Sequence, residues 1–288
     1  MLHLVRRDPH ALGIAQTRWT LATIQEACAW MQALTKPGIA QILERLGISW
    51  KRARWHIHSP DPLYEAKLAL VRCLGRAVRE TDGTLVLVYL DEITIYRQPT
   101  LGAAWEQTGP HQARAERSYR SDTPTRVVAT LDPCDGRVVY RRGATIGVAE
   151  LVALYQDLVA AYPQAERMYA IQDNWPVHTH PDVLVALEVQ ETPWPYHRPA
   201  SWSNEPSPKA RQKYGDLHLP IQIVQLPTYA SWTNPIEKLW RKLRGDLLHL
   251  HRYADRLEEL QQEIDRFLDQ FANGSQELLR YVGLLVPN

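Results

Sequence analysis

Hydrophobic and polar positions change their period twice along the chain. From residue 20 to about 58, apolar residues recur at helical spacing in short bursts divided by turn signals. Leu21, Ile24, Ala27 and Met31 mark a first stripe, with Thr20 placed to cap it. PGIAQILERLG follows, opened by Pro37 and closed by Gly47. SWKRARWHIH is the third burst, with Ser49 at the cap and Lys51, Arg52 and Arg54 on the helix. Helix, Gly turn and basic helix form the helix-turn-helix pattern, whose last helix enters a major groove; a plain helical cap on the main domain is the rival reading. SPDP (59–62) punctuates a boundary, and Leu63, Ala66, Leu70, Leu74 and Val78 predict a longer helix at about 62–80.

After Asp82-Gly83 the helical period gives way to LVLVYLDE (85–92), a continuous apolar run ending in acids, as a buried central strand would read. RVVATLD and RVVYRR flank PCDG (133–136), which predicts a hairpin with a type I turn. A helix at about 147–161 leads to RMYAIQD (167–173), a second strand ending in Asp, and a helix at about 181–189 follows. Residues 190–220 carry six prolines, two tryptophans and a KARQK cluster without periodicity, and predict a long surface insertion. IQIVQL (221–226) is a further strand. Two helices run from Asn234 to about 273, the second opened by DRLE, with Asp255 and Glu258 spaced as a capping box, and stopped at Gly274. This order predicts an α/β domain with a mixed sheet of the ribonuclease H-like kind, flanked by helices and preceded by a small all-α domain. The expected organisation is a helix-turn-helix domain at 1–60, a linker helix at 61–84, and the ribonuclease H-like domain at 85–288 with its insertion at about 190–220.

Composition changes this picture little: 45% hydrophobic and 23% charged residues over 288 positions are ordinary for a globular protein. The longest apolar run is about six residues, against the ~20 of a membrane span, so no membrane partner is expected. Three scattered cysteines (28, 73, 134) with no CxxC spacing fit a reducing cytoplasm and no zinc knuckle. Charge is more informative in its distribution than in its sum. Residues 1–60 hold eight Lys/Arg against three acids, a surplus of five, in a chain whose net charge is +1, so the remainder is net negative. A basic first module on an acidic body fits docking on DNA, although a solvated basic face reads the same way.

Three carboxylates fall at comparable places: Asp91 after LVLVYL, Asp173 after MYAIQ, and Glu237 in the first turn of NPIEKLWRKLR. Converging on one edge of a sheet, they would repel unless cations neutralised them, and oxygen-only ligands suit Mg²⁺ or Mn²⁺. Each has a plainer explanation as well. Asp91 can be a polar strand end, Asp173-Asn174 can start a turn, and Asn234, Pro235 and Glu237 are spaced as a helix cap. On the same helix, Ile236, Trp240, Leu243 and Leu247 form a core stripe, while Lys238, Arg241, Lys242 and Arg244 lie mostly outside it and are placed to contact phosphates. Glu237 and Arg241 are also spaced as an ion pair, a structural rival to metal binding.

YLDE, QDNWPVH and NPIEKLW, in this order, resemble the motifs of DDE transposases of the mariner superfamily, in its bacterial insertion-sequence branch. RQPTLGAAWEQTG (97–109) is similar to a weaker family segment, and RDPHALGI and TRWTL to the linker and opening of its second helix-turn-helix. The resemblance spans about residues 7–273. It implies an insertion-sequence transposase that cleaves phosphodiester bonds at terminal inverted repeats and transfers the 3′-hydroxyl into target DNA. It further implies Mg²⁺ or Mn²⁺ held by Asp91, Asp173 and Glu237, support from Asn174, His178 and Asn234, and a homodimer on double-stranded DNA at the nucleoid. DNA contacts would come from Ser49, Lys51, Arg52, Arg54, Lys238, Arg241 and Lys242. Two departures stand out. Asp173 and Glu237 are 64 residues apart where the family's separation lies in the mid-thirties, and one helix-turn-helix precedes residue 60 where family members pair two. The second leaves an alternative, a truncated or domesticated copy that acts only by binding DNA.

Overall fold

A computed structural model describes residues 1–51 and 58–285 and divides the chain into two compact units, Met1–Ile57 and His58–Asn288. The first unit opens with a single turn, α1 (Leu2–Val5), and a 3₁₀ turn at Pro9–Leu12. α2 (Leu21–Ala27) starts where Thr20 accepts from the Thr23 amide while Thr23 Oγ1 takes the Thr20 amide, a reciprocal cap. α3 (Lys36–Arg45) is capped by Thr35, one residue earlier than Pro37 alone suggests, and Gly47 turns out of it at φ +69°. Trp19, Ile24, Met31, Ile39 and Leu43 make the core. The third, basic helix of the sequence pattern, with Arg52 and Arg54, lies outside the described residues; Ser49 and Lys51 are exposed at their edge.

The second unit begins with α4 (Tyr64–Arg79) and enters the sheet through β1 (Leu85–Tyr96). β2 (Pro124–Leu131) and β3 (Val138–Gly143) form the hairpin around PCDG. α5 (Val148–Ala161) leads to β4 (Arg167–Gln172), then come the single-turn α6 (Pro181–Leu184), α7 (Pro208–Tyr214) and β5 (Ile221–Gln225). α8 (Ile236–Leu243), a π-turn (Arg244–Leu248), α9 (Leu257–Asp269) and α10 (Gln276–Val282) complete it. The strand order is β3-β2-β1-β4-β5, antiparallel on the hairpin side and parallel from β1 to β5, the mixed ribonuclease H-like sheet.

Strand alternation decides which helices cover which face. Val86, Val88 and Leu90 of β1 pack with α5 and the segment around α6, whereas Leu87 joins α4, and Ile93 and Ile95 join α8–α10. Among the described residues no helix is long and apolar enough to cross a membrane.

Several elements depart from the sequence expectation. β1 runs to Tyr96, so Asp91 and Glu92 sit inside a strand and not at its end. Its pairing with β4 stops at Tyr89, while its pairing with β2 continues to Tyr96. Asp91 therefore stands where β1 outruns its parallel neighbour. The helix expected at 181–189 is one turn, and the insertion, expected to be irregular, contains α7, capped by Ser207 and seated through buried Ala210. α9 has no capping box: Asp255 accepts a hydrogen bond from Ser118 Oγ instead, a tertiary partner that outcompetes the local one.

Candidate active site

Asp91 and Glu92 point to opposite faces of β1, and each finds its own helix. Asp91 faces α8, where the Trp240 indole N–H donates to Asp91 Oδ2 at 3.0 Å. Trp240 is buried, so this bond also gives its N–H the partner that a buried indole requires. Glu92 faces the α5 side, where His178 Nε2 lies 2.6 Å from Glu92 Oε1. His178 is fully buried on a 3₁₀ turn, Pro176–Thr179, with Trp175 edge-on to its ring at 5.2 Å. Its second nitrogen lies 3.2 Å from Asp173 Oδ1, within ion-pair reach though off the hydrogen-bond line.

The imidazole thus sits between two carboxylates. Burial opposes its charge, but Glu92 and Asp173 outweigh burial and push its pKa up to about 10. Asp173 responds in the other direction. Burial would raise it, yet His178 and the Trp175 amide, 2.9 Å from Asp173 Oδ1, hold the carboxyl below its ordinary range. Half of the Asp173 side chain is exposed, and among the described residues its Oδ2 has no partner.

Two asparagines tie these segments to the sheet. Asn174 Nδ2 donates to the Leu226 carbonyl at 2.8 Å and links the Asp173 turn to the loop leaving β5. Asn234 Nδ2 donates to the Leu90 carbonyl at 3.0 Å, one residue before Asp91. The cap that the spacing of Asn234 offered is not formed: Asn234 Nδ2 turns to β1, and Oδ1, the atom a cap would use, is buried without a partner among the described residues. The Glu237–Arg241 ion pair that rivalled metal binding is not formed among the described residues, and the Glu237 carboxylate carries no hydrogen bond there.

Electrostatics couples the three acids. Burial pushes Asp91 up, and Glu237 and Glu92 push it further, to about 7, against the Glu92 amide and the Trp240 indole. Burial and Asp173 raise Glu237, while Arg244 and Arg241 restrain it. Among the described residues no three His, Cys, Asp or Glu side chains close on one point tightly enough to hold a metal by themselves. The donor chemistry nonetheless fits a hard divalent cation: oxygen-only groups, partly buried, with Asp91 and Glu237 raised in part by neighbouring acids, a repulsion that a cation would relieve.

The basic residues of α8 separate by task. Lys238 gives its ammonium to the Val282 carbonyl at the end of α10, and Lys242 pairs with Asp246 at 2.7 Å and lies over Tyr281. Both therefore have partners within the fold, which a contact to phosphate would have to displace. Arg241 and Arg244 are exposed and free of ion pairs among the described residues. Sequence reading missed Glu92 as the partner of His178. The signal was present in strand parity, since Asp91 and Glu92 cannot share a face.

The insertion leaves this geometry undisturbed. Glu188 N donates to Leu219 O at 2.8 Å and Leu219 N to Ala186 O at 2.9 Å, so residues 188–218 leave and return at one point. Without those 31 residues the Asp173–Glu237 separation would fall from 64 to 33.

Residues 86–261 match the family of DDE superfamily endonucleases. A curated relative, the Insertion element IS630 uncharacterized 39 kDa protein of Shigella sonnei, is 24% identical over 273 residues, covering 92% of this chain and 68% of that protein. Among solved structures, the Mos1 mariner paired end complex with Mn superposes with a TM-score of 0.57 at 18% identity, covering 97% of this chain and 75% of the other. A pre-cleavage Mos1 transpososome gives 0.57 at 17% identity, covering 96% and 73%. At such identities the structural likeness speaks for the fold alone. The family match is of another order, because it takes in more than half of the chain and all three coupled acids: the chain belongs to the DDE superfamily of endonucleases.

Proposed function

We propose that this protein is an insertion-element transposase that cuts phosphodiester bonds at the ends of its element and transfers the freed 3′-hydroxyl into target DNA. The observation that carries the reading is the placement of Asp91 on β1, Asp173 just after the parallel neighbour β4 and Glu237 in the first turn of α8, with Glu237 raising Asp91 and Asp173 raising Glu237. Carboxylates are arranged this way at a cost, and a bound cation repays it.

We assign Asp91, Asp173 and Glu237 as the ligands of Mg²⁺ or Mn²⁺, which when bound would activate the attacking oxygen and stabilise the leaving one. The chain's own groups prepare the site. Trp240 and Asn234 fix the strand and oxygen of Asp91; His178 holds Asp173 Oδ1 and leaves Oδ2 open to solvent. Arg241 and Arg244, exposed beside Glu237, offer contacts to the phosphates of a strand lying across the acids. Double-stranded DNA is the partner, engaged at terminal inverted repeats by the first unit, with Ser49, Lys51, Arg52 and Arg54 as its contacts, and as target by the second. An element has two ends and each chain carries one set of acids, which favours a homodimer. The fold likeness to Mos1 paired-end complexes supports both points, and the free cysteines fit work on DNA in a reducing cytoplasm.

Incubating the full chain with Mg²⁺ and DNA carrying the element's ends tests this. Cleavage and joining are expected from the parent and lost in Asp91→Asn, Asp173→Asn and Glu237→Gln. Undiminished cutting by all three variants would refute the assignment, and end-specific binding without cleavage would select the DNA-binding-only alternative.

A further inference from the structure

The loop between β5 and α8 holds one large side chain away from everything around it. Leu226, Pro227 and Ala230 are buried, whereas Tyr229 is 76% exposed. Its φ is +52°, in the left-handed region that a bulky residue occupies only when its surroundings compel it. The surroundings do so from several directions. Asp61 Oδ2 accepts from the Thr228 amide at 2.9 Å, and Ser59 Oγ donates to the Thr228 carbonyl at 2.5 Å. Asp61 is itself locked by buried Lys67 at 2.8 Å. On the other side Thr233 Oγ1 and the Thr233 amide both donate to the Ala230 carbonyl. Asn174, the neighbour of Asp173, holds Leu226.

A strained backbone held by this much hydrogen bonding presents a ring that has no task inside the fold. Among the described residues the Tyr229 hydroxyl has no hydrogen-bond partner and the ring has no aromatic or cationic neighbour. The loop is tied to the Asp173 turn by Asn174 at one end and runs into the helix of Glu237 at the other, so it flanks two of the acid-bearing segments. Trp232, on the turn that follows in the same loop, is 48% exposed.

We infer that Tyr229 is a stacking platform for an unpaired nucleobase next to the phosphodiester being cut. The inference rests on the DNA-cleaving reading of the neighbouring acids and adds a substrate contact to it. Where the duplex ends or opens at the scissile phosphate, the base beside it has lost a stacking neighbour. A rigid aromatic face replaces that neighbour for any base, since every base has a π-face, and it does so without reading sequence. The strain at Tyr229 then serves to aim the ring, because a relaxed backbone would lay it along the surface.

The test compares the full chain on a short blunt duplex and on the same duplex with a single-stranded 3′ tail, with Ca²⁺ in place of Mg²⁺ and 2-aminopurine at the first unpaired position. The parent is expected to prefer the tailed duplex and to quench the probe. Tyr229→Ala loses about tenfold of that preference and the quenching, while Tyr229→Phe keeps both because it keeps the ring. Tyr229→Gly is the discriminating variant. It behaves as Tyr229→Ala on DNA yet melts at a higher temperature than the parent, since glycine relieves the backbone. Parent-like preference and quenching in Tyr229→Ala, or a lowered melting temperature in Tyr229→Gly, would overturn the inference while leaving the transposase reading intact. A parent chain that binds neither duplex would overturn both.

Discussion

Asp91 offers the sharpest quantitative check, because its ionisation is set by the field proposed to hold the metal. Its carboxyl is moved from an ordinary 3.8 to about 7 by burial, Glu237 and Glu92. In metal-free protein the folded chain therefore keeps a proton that the unfolded chain has released. The sign follows directly. As pH rises from about 4 to about 7 the unfolded state is increasingly favoured, and above about 7 the penalty is constant. At about 1.4 kcal/mol for each tenfold, the rise corresponds to about 4 kcal/mol, an upper bound because solvent reaches part of the site. Asp91→Asn removes this penalty while keeping an oxygen for the Trp240 indole. In EDTA at pH 8 the variant should unfold up to about 10 °C above the parent, with the gap shrinking towards zero near pH 4. Mg²⁺ should narrow the gap, stabilising the parent by about 2.7 kcal/mol at a hundredfold excess over its dissociation constant and the variant far less. Scanning calorimetry at several pH values reads both effects. Equal melting temperatures at pH 8 would refute the electrostatic coupling, and a gap as wide at pH 4 as at pH 8 would assign the effect to packing.

His178→Phe leaves Glu92 without its buried cation and should cost about 3–5 kcal/mol at neutral pH, part of it recovered by adding Glu92→Gln. Because the folded pKa of His178 is raised from 6.5 to about 10, its contribution is full below about 6.5 and is lost as pH rises through about 10, so urea titrations above pH 10 should find parent and variant close together. Lys67→Met breaks the buried pair with Asp61, whose side chains are 8% and 5% exposed, and should cost about 3–5 kcal/mol in urea unfolding. A cost under ~1 kcal/mol would mean that the Thr228 and Leu63 amides hold Asp61 without the lysine.

The legible parts of the fold were those where period and local chemistry agreed. Leu85–Leu90 read as a buried strand and became the centre of the sheet, and Thr20 read as a cap and caps α2. The misread parts were those where one polar side chain had two possible partners. Asp255 and Asn234 both have the spacing of helix caps, and both give their hydrogen bonds to segments more than a hundred residues away, at Ser118 and Leu90. No local pattern encodes that choice, because it depends on which strand the helix lands beside. The carboxylates of the site were visible as strand-end and helix-start acids, but the cation between Glu92 and Asp173 was not. The family resemblance named His178 as a support of the site, but nothing local pairs it with Glu92 until the sheet is assembled.

The long Asp173–Glu237 interval shows why such a departure in sequence need not alter the chemistry. β5 lies parallel to β4 in unbroken register from Met168–Ile221 to Gln172–Gln225, and Leu226 N still donates to Gln172 O. The 31 extra residues are closed off at Ala186 and Leu219 before β5 begins, and the entropy of such a closed loop grows only logarithmically with its length. The excursion is also tied back to the site it skirts. Asp182 accepts from both the amide and the hydroxyl of Ser207, Trp202 meets the His180 ring edge-on, and Thr179 Oγ1 reaches the His197 carbonyl at 3.3 Å. Thr179 follows His178 in the chain. Changes in the insertion should therefore reach the acids through the 3₁₀ turn that holds His178, and only weakly through the strands.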